Sequence, residues 1–176
     1  MHKFHTIIAW LLLILLILHV LMASVTLLTP IFLLQSHFAY VFMGFVCVHG
    51  VLALWKVFRE KGPRMLRQYI WENKKYWLRV LSGVLVLVLA LLHRTLWTIV
   101  TPFGVLPKSF DEIGLVIQLL FVTVIGIHIL LNLRPLLIDS GIETQGRMHR
   151  WMKVMTAALL VLAVVGAVGY FMGAML

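Results

Sequence analysis

The sequence predicts an all-α integral membrane protein, a bundle of five transmembrane helices. Apolar residues make up 62% of the 176 residues and charged residues only 12%, which leaves too little polar surface for a water-soluble domain. Because one helical span needs about 20 apolar residues, the chain has room for roughly five spans and little else. Helix is also the only open structure that satisfies its own backbone in lipid.

Five apolar segments follow one another and set the expected helices. We expect them at about residues 7–28, 38–58, 77–100, 113–133 and 151–171, so that residues 1–176 form one transmembrane domain. The first segment follows Lys3 and has some features of a signal peptide, but it is longer than an ordinary signal segment and contains His19. Pro30, Pro102 and Pro107 fall in the connections before the second and fourth helices, where a missing N–H is tolerated.

Basic residues are concentrated in the other two connections. Between the second and third helices the sequence has Lys56, Arg59, Lys61, Arg64, Arg67, Lys74, Lys75 and Arg79, and around the last connection it has Arg134, Arg147, Arg150 and Lys153. Excess Lys and Arg marks the cytoplasmic side of membrane proteins. We therefore expect a multi-pass protein of the inner (cytoplasmic) membrane with a cytoplasmic N-terminus. The net charge of +9 then reports orientation and gives no reason to expect nucleic acid as a partner.

Histidines provide the main functional signal. Those expected deep within spans occur one per helix in the first four helices, namely His19, His49, His93 and His128. The remaining four, His2, His5, His37 and His149, lie near segment ends, where water or headgroups can solvate them. A polar side chain deep in hydrocarbon must find a partner, and this regular placement favours a shared ligand.

The depths of these four histidines suggest two pairs. From the helix rise, His128 and His49 lie about 9 to 13 Å below the cytoplasmic surface, whereas His93 lies about 24 Å from it, with His19 near the middle. We therefore expect His49 to pair with His128 and His19 with His93, as in two bis-histidine haem sites. Zinc or non-haem iron would favour three or four ligands at one level, often including a carboxylate, and the sequence places no acid deep in these helices.

Several other residues are candidates for contacts with these groups. Ser82 precedes His93 by three helical turns, so we expect it either to contact the inner haem or to bond back to its own helix. Arg67 and Arg79 are candidate haem contacts at the cytoplasmic side, and Arg94 is expected to extend to the outer surface or to meet a propionate. Gly169 and Gly173 have the GxxxG spacing that favours helix dimerisation, here a dimer of the complex.

Two segments resemble a known family. The stretch HILLNLRPLLIDSG, with its histidine at His128 and its glycine at Gly141, resembles the second-helix motif of succinate dehydrogenase cytochrome b subunits, and RVLSGV resembles the opening of their preceding helix. The whole chain is similar to the single-subunit dihaem anchors of quinol:fumarate reductases and related succinate:quinone oxidoreductases. The segments that resemble their second, third and last helices are HGVLALWKVFREKGPRMLRQYIW, YWLRVLSGVLVLVLALLHRTLW and RWMKVMTAALLVLAVVGAVGYFM.

The resemblance implies a five-helix anchor that binds two haems b. It implies His49 and His128 as axial ligands of the proximal haem and His19 and His93 as ligands of the distal haem. It also implies electron transfer between a quinone, menaquinone by resemblance, and cytoplasmic partner subunits. Those are an iron–sulfur subunit with its clusters and a flavoprotein subunit with FAD, which carries the dicarboxylate chemistry.

The quinone site is less well indicated. Some family members have an acidic residue in the outer connection between the first two helices, whereas the corresponding stretch here, LTPIFLLQSHF, has none. Asp111 and Glu112, in the other outer connection, are therefore the candidates for quinone-linked proton transfer.

Two alternative functions remain open from the residues. One is the dihaem cytochrome b subunit of another respiratory oxidoreductase, such as a hydrogenase, formate dehydrogenase or nitrate reductase, although the pattern from His128 to Gly141 argues against it. The other is a proton or metal transporter whose path is lined by histidines. Haem absorption bands in the purified protein would distinguish a cytochrome from a transporter.

Overall fold

The computed structural model describes residues 2–28, 35–68, 73–101, 104–108, 111–142 and 147–175. These residues form helices α1 (His2–Leu28), α2 (Gln35–Gln68), α3 (Lys74–Trp97), α4 (Glu112–Asp139) and α5 (Arg147–Met175). An antiparallel pair of short strands, β1 (Thr98–Thr101) and β2 (Gly104–Pro107), follows α3. Each of the five helices contains a segment long and apolar enough to cross a membrane, which makes this a multi-pass membrane protein.

The helices pack in a ring that follows the order of the chain. Extensive contacts join α3 to α4, α4 to α5, α5 to α1 and α1 to α2, whereas α2 and α3 touch more sparsely. A buried apolar cluster lies on the α3–α4 side, where Leu89 and Ala90 pack against Phe121 and Val124. The most rigidly packed pair of helices is therefore expected to be α3 and α4.

The helices extend beyond the apolar segments that predicted them. α2 continues to Gln68, past the expected end at 58, and α4 continues to Asp139, past 133. Hydropathy marks only the part of a helix that faces lipid, whereas charged turns continue the same helix into the headgroup region. The basic residues from Lys56 to Arg67 consequently lie on α2 rather than in a loop.

The prediction that the third helix reaches residue 100 is wrong. α3 ends at Trp97, and residues 98–100 belong to β1, where Thr98 pairs with Pro107 of β2. The run from Thr98 to Thr101 consists entirely of β-branched residues, which favour strands over helices. Their hydrophobicity made the segment resemble a continuation of the span.

The end of α4 explains why a glycine, Gly141, follows Asp139 and Ser140. Gly141 has a φ of 72°, in the left-handed region that glycine adopts without steric cost. Its N–H donates to the carbonyl of Ile138, and the N–H of Ile142 donates to the carbonyl of Leu137. These two bonds form a Schellman motif, which satisfies carbonyls at the helix end.

Candidate cofactor-binding histidines

His19 of α1 and His93 of α3 lie next to each other in the bundle. Their ring centroids are 6.4 Å apart and their planes make an angle of 84°. An imidazole nitrogen binds zinc at about 2.0 to 2.1 Å, and iron–imidazole bonds are of similar length. Two imidazoles on opposite sides of one metal ion would therefore have centroids roughly 6 Å apart, which the measured separation matches.

Hydrogen bonding orients the ring of His93. Its Nδ1 lies 2.9 Å from Oε1 of Gln118 on α4. An amide oxygen carries no hydrogen, so Nδ1–H must be the donor. Nε2 of His93 then has a lone pair available, which is the tautomer that a metal-ligating histidine requires.

Aromatic side chains surround the His19–His93 pair. Phe42 of α2 lies 5.4 Å from His19, and Phe121 of α4 lies 5.4 Å from His93, between ring centroids. Phe38 is also stacked near His19 at 6.4 Å. These rings give the pair an apolar surrounding.

The ring of His128 is oriented by α3. Its Nδ1 lies 3.0 Å from Oγ of Ser82, and the Ser82 hydroxyl donates to the carbonyl oxygen of Arg79 at 3.0 Å. Nδ2 of Asn132 also lies 3.4 Å from the same Nδ1. When Nε2 of His128 binds a metal, Nδ1 carries the ring hydrogen, and Oγ of Ser82 is then its acceptor.

Gly83 allows this close approach of His128 to α3. A Cβ atom at position 83 would lie only 3.1 Å from Cε1 of His128, tighter than ordinary van der Waals contact. Gly126 also allows a close approach, to Leu160 of α5, where an added Cβ would lie 2.6 Å from Cδ1.

His49 has a different neighbour from the one expected. Its ring stacks on that of His5, with centroids 4.7 Å apart and planes at 28°. The His5 contact is too short for two ligands on opposite sides of one metal. Within the described residues, Nδ1 of His49 is buried and has no hydrogen-bond partner.

His5 is a residue that sequence reasoning assigned to the solvated ends. A usable signal was present, because His5 and His19 are fourteen residues apart, close to four helical turns, and so share one face of α1. The face that brings His19 to His93 therefore also carries His5 towards the neighbouring helices.

Two polar contacts between α3 and α4 follow a single antiparallel register. Moving eleven residues along α3 from Ser82 to His93 corresponds to moving ten residues back along α4 from His128 to Gln118. The two contacts are thus about 15 Å apart along the helices. Gln118 was missed by sequence reasoning, although its offset from His128 is within one residue of the offset between Ser82 and His93.

Arg79 satisfies a carbonyl that a proline leaves open. Pro135 lies inside α4 and has no N–H to donate to the carbonyl of Leu131, four residues earlier. Nε of Arg79 donates to that oxygen at 3.0 Å. Arg79 therefore has a structural role here, and its contact with a haem remains a prediction.

Other candidate residues have local roles or fall outside the described side chains. Asp111 is the N-cap of α4 and accepts the N–H of Gly114 at 2.6 Å, and Glu112, the first helical residue, is exposed.

The guanidinium of Arg94 lies over the Tyr40 ring, 4.6 Å from its centroid. The side chain of Arg67 is not among those described. Gly169 of the GxxxG pair faces Leu28 of α1, so half of that motif packs within the chain.

The arrangement suits a cofactor that takes two protein ligands. In the part of the chain that the structure describes, no group of three or more His, Cys, Asp or Glu side chains is placed to hold a metal ion. His19 and His93 instead match the separation of two axial ligands, as in a bis-histidine haem. Comparisons of this chain with protein-family models, with curated proteins and with solved structures find no match.

Proposed function

We propose that this chain is a dihaem cytochrome b membrane anchor of the succinate:quinone oxidoreductase and quinol:fumarate reductase type, in the inner (cytoplasmic) membrane. The observation that carries the proposal is the placement of His19 and His93, 6.4 Å apart between ring centroids and set among aromatic side chains. Bound haem would supply reversible one-electron transfer between a membrane quinone and a cytoplasmic iron–sulfur subunit.

The residues assigned to each haem follow from their neighbours. His19 and His93 would hold the outer haem, with Phe42 and Phe121 beside its ligands. His128 would hold the inner haem together with His49, which the helix rise places at a similar depth. This inner assignment requires His49 to turn from His5 towards His128, and the buried Nδ1 of His49, without a hydrogen-bond partner among the described residues, is compatible with such a change.

The chain would also provide insulation and docking. Five apolar helices keep water and ions away from the histidines, which lowers the local dielectric constant. The exposed Lys74 and Lys75 at the start of α3, with the basic end of α2, would attract acidic surfaces of the iron–sulfur and flavoprotein subunits. Asp111 or Glu112 at the start of α4 would serve quinone-linked proton exchange.

A haem assay on the purified protein tests this function. We expect a pyridine haemochrome measurement to give two haems b per polypeptide, with reduced-minus-oxidised bands typical of low-spin cytochrome b. Copurification of an FAD-containing and an iron–sulfur subunit would support the assignment to this enzyme type. A protein with no haem, or with one per chain, would overturn the dihaem proposal.

One observation favours the second candidate function, a histidine-lined transporter. The stacked rings of His5 and His49 extend the row of imidazoles towards the N-terminal end of α1 without the spacing of two axial ligands. Such a row would suit proton or metal passage. A colourless purified protein that moves protons or divalent metal ions across vesicle membranes would favour this function over the first.

A further inference from the structure

We propose that α3 and α4 supply the anchoring ligand of each haem, His93 and His128, and that Gln118 and Ser82 are their positioning residues. His19 and His49, on α1 and α2, would complete the coordination and be the exchangeable ligands. This inference rests on the proposed function and assigns unequal roles to the two ligands of each haem.

The first support is that hydrogen bonds already orient both anchoring imidazoles. His93 donates its Nδ1–H to the amide oxygen of Gln118, which selects the tautomer with a lone pair on Nε2. Nδ1 of His128 lies 3.0 Å from the hydroxyl oxygen of Ser82, which accepts the Nδ1 hydrogen when Nε2 binds iron. Both contacts restrict rotation of the ring before the cofactor arrives.

The other two histidines are held differently. His19 is surrounded by the rings of Phe38 and Phe42, which restrict its position without selecting a tautomer. His49 is stacked on His5, and its Nδ1 has no hydrogen-bond partner among the described residues. Neither contact fixes which nitrogen faces a metal ion, so these ligands gain less from preorganisation.

Helix packing supports the same division. The buried cluster of Leu89, Ala90, Phe121 and Val124 lies on the α3–α4 side, between the Ser82–His128 and Gln118–His93 contacts along the two helices. Contacts between α2 and α3 are sparser than those between α3 and α4. Movement of α2 away from α3 is therefore expected to disturb the bundle less than separation of α3 from α4, which supports the division for His49.

The positioning residues should also affect the electronic properties of the haems. A hydrogen bond from Nδ1–H to an acceptor makes the imidazole a stronger electron donor to iron. Stronger donation favours the ferric state and lowers the reduction potential. Removing the acceptor should therefore raise the potential of the haem at that level and leave the other haem unchanged.

Ligand variants test the unequal roles. In His19→Ala and His49→Ala we expect two haems per chain, one of them five-coordinate and high-spin, and added imidazole should restore its low-spin spectrum. In His93→Ala and His128→Ala we expect one haem per chain. If His19→Ala loses its haem as completely as His93→Ala, the proposed division is wrong. Wild-type protein without haem would instead contradict the proposed function itself.

A second set of variants tests the positioning residues Gln118 and Ser82 by redox titration. Gln118→Leu should raise the potential of the outer haem, whereas Gln118→Glu, which retains an acceptor oxygen, should keep it at or below the wild-type value. Ser82→Ala and Ser82→Thr form the corresponding pair for the inner haem. Thr123→Val on α4 and Thr95→Val on α3 are matched controls, because both hydroxyls bond to the backbone of their own helix.

The second haem in each variant serves as an internal reference for assembly. A variant whose reference haem keeps its spectrum and potential has a folded bundle, so a shift at the other level reports the lost hydrogen bond. Unchanged potentials in assembled Gln118→Leu and Ser82→Ala proteins would overturn the assignment of Gln118 and Ser82.

Discussion

The imidazole planes of His19 and His93 are nearly perpendicular, at 84°, with centroids 6.4 Å apart. The two residues belong to α1 and α3, which are not consecutive in the chain, and they are 74 positions apart in sequence. The angle matters because it is a property of the pair that haem spectroscopy can measure, independently of electron-transfer activity.

We expect the outer haem to show a strongly anisotropic low-spin ferric EPR signal. Perpendicular axial imidazoles donate equally into the two iron orbitals that extend above the haem plane, which leaves those orbitals almost equal in energy and increases the anisotropy of g. His149→Ala, which alters a histidine outside the proposed ligands, should leave the signal unchanged. A rhombic signal typical of parallel imidazoles for the outer haem would contradict the geometry of this pair.

The bond between Arg79 and the carbonyl of Leu131 should matter only while Pro135 is present. We expect Arg79→Met to lower the free energy of unfolding by about 1.5 to 3 kcal/mol, the range for hydrogen bonds of charged groups. In a Pro135→Ala background residue 135 regains an N–H that can donate to the carbonyl of Leu131. Arg79→Met should therefore lower the free energy of unfolding much less in that background. Unfolding of the purified protein in a detergent series would measure both values.

Arg94→Met provides the matched control for the comparison of Arg79→Met in the two backgrounds. The Arg94 side chain lies over Tyr40, near the start of α2 and the end of α3, and distant sites usually contribute additively. Arg94→Met should therefore lower the free energy of unfolding by the same amount with Pro135 and with Ala at position 135. Equal costs for Arg79→Met in both backgrounds would show that Arg79 does not compensate for the proline.

Substitution of Gly83 should disturb the inner level selectively. In Gly83→Ala the new Cβ would lie 3.1 Å from the His128 ring, so the ring must shift and its bond with Ser82 should weaken. We expect a changed spectrum and a raised potential for the inner haem, with the outer haem unchanged. A redox titration monitored by visible absorption would resolve the potentials of the two haems.

Gly44→Ala is the control for Gly83→Ala. A Cβ at position 44 meets nothing within 4 Å, and both substitutions gain helix propensity of about 1 kcal/mol. A difference between the two variants therefore isolates the steric contact. If both leave the inner haem unaltered, the close approach of His128 to α3 is unimportant for that site.

Cysteine labelling can test the orientation predicted by the basic residues. In a Cys47→Ser background, Lys75→Cys should react with a membrane-impermeant maleimide only from the cytoplasmic side, and Lys108→Cys only from the opposite side. Both positions are exposed, and α3 runs between them. Labelling of Lys75→Cys in intact cells would reverse the proposed orientation and place the basic surface away from cytoplasmic partners.

Much of the architecture could be predicted from the sequence, because it depends on local properties. Hydropathy over about 20 residues determines which segments can form spans, and five such helices occur in the described residues. The ends were less predictable: α2 and α4 continue beyond their apolar segments, and the β-branched run after Trp97 forms a strand. At those positions contacts with water, lipid headgroups and a pairing strand determine where the helix ends, and hydropathy does not.

The neighbours of the histidines were decided by tertiary structure. Composition and depth singled out His19, His49, His93 and His128, but they could not show that Gln118 faces His93 or that His5 stacks on His49. Such contacts depend on the relative rotation, tilt and register of helices, and a helix rotated by one residue presents a different face. Hydropathy is nearly insensitive to that rotation in an apolar span. The packing of α3 against α4, with its buried cluster and two polar contacts, selects one register, and that register places the acceptors beside the imidazoles.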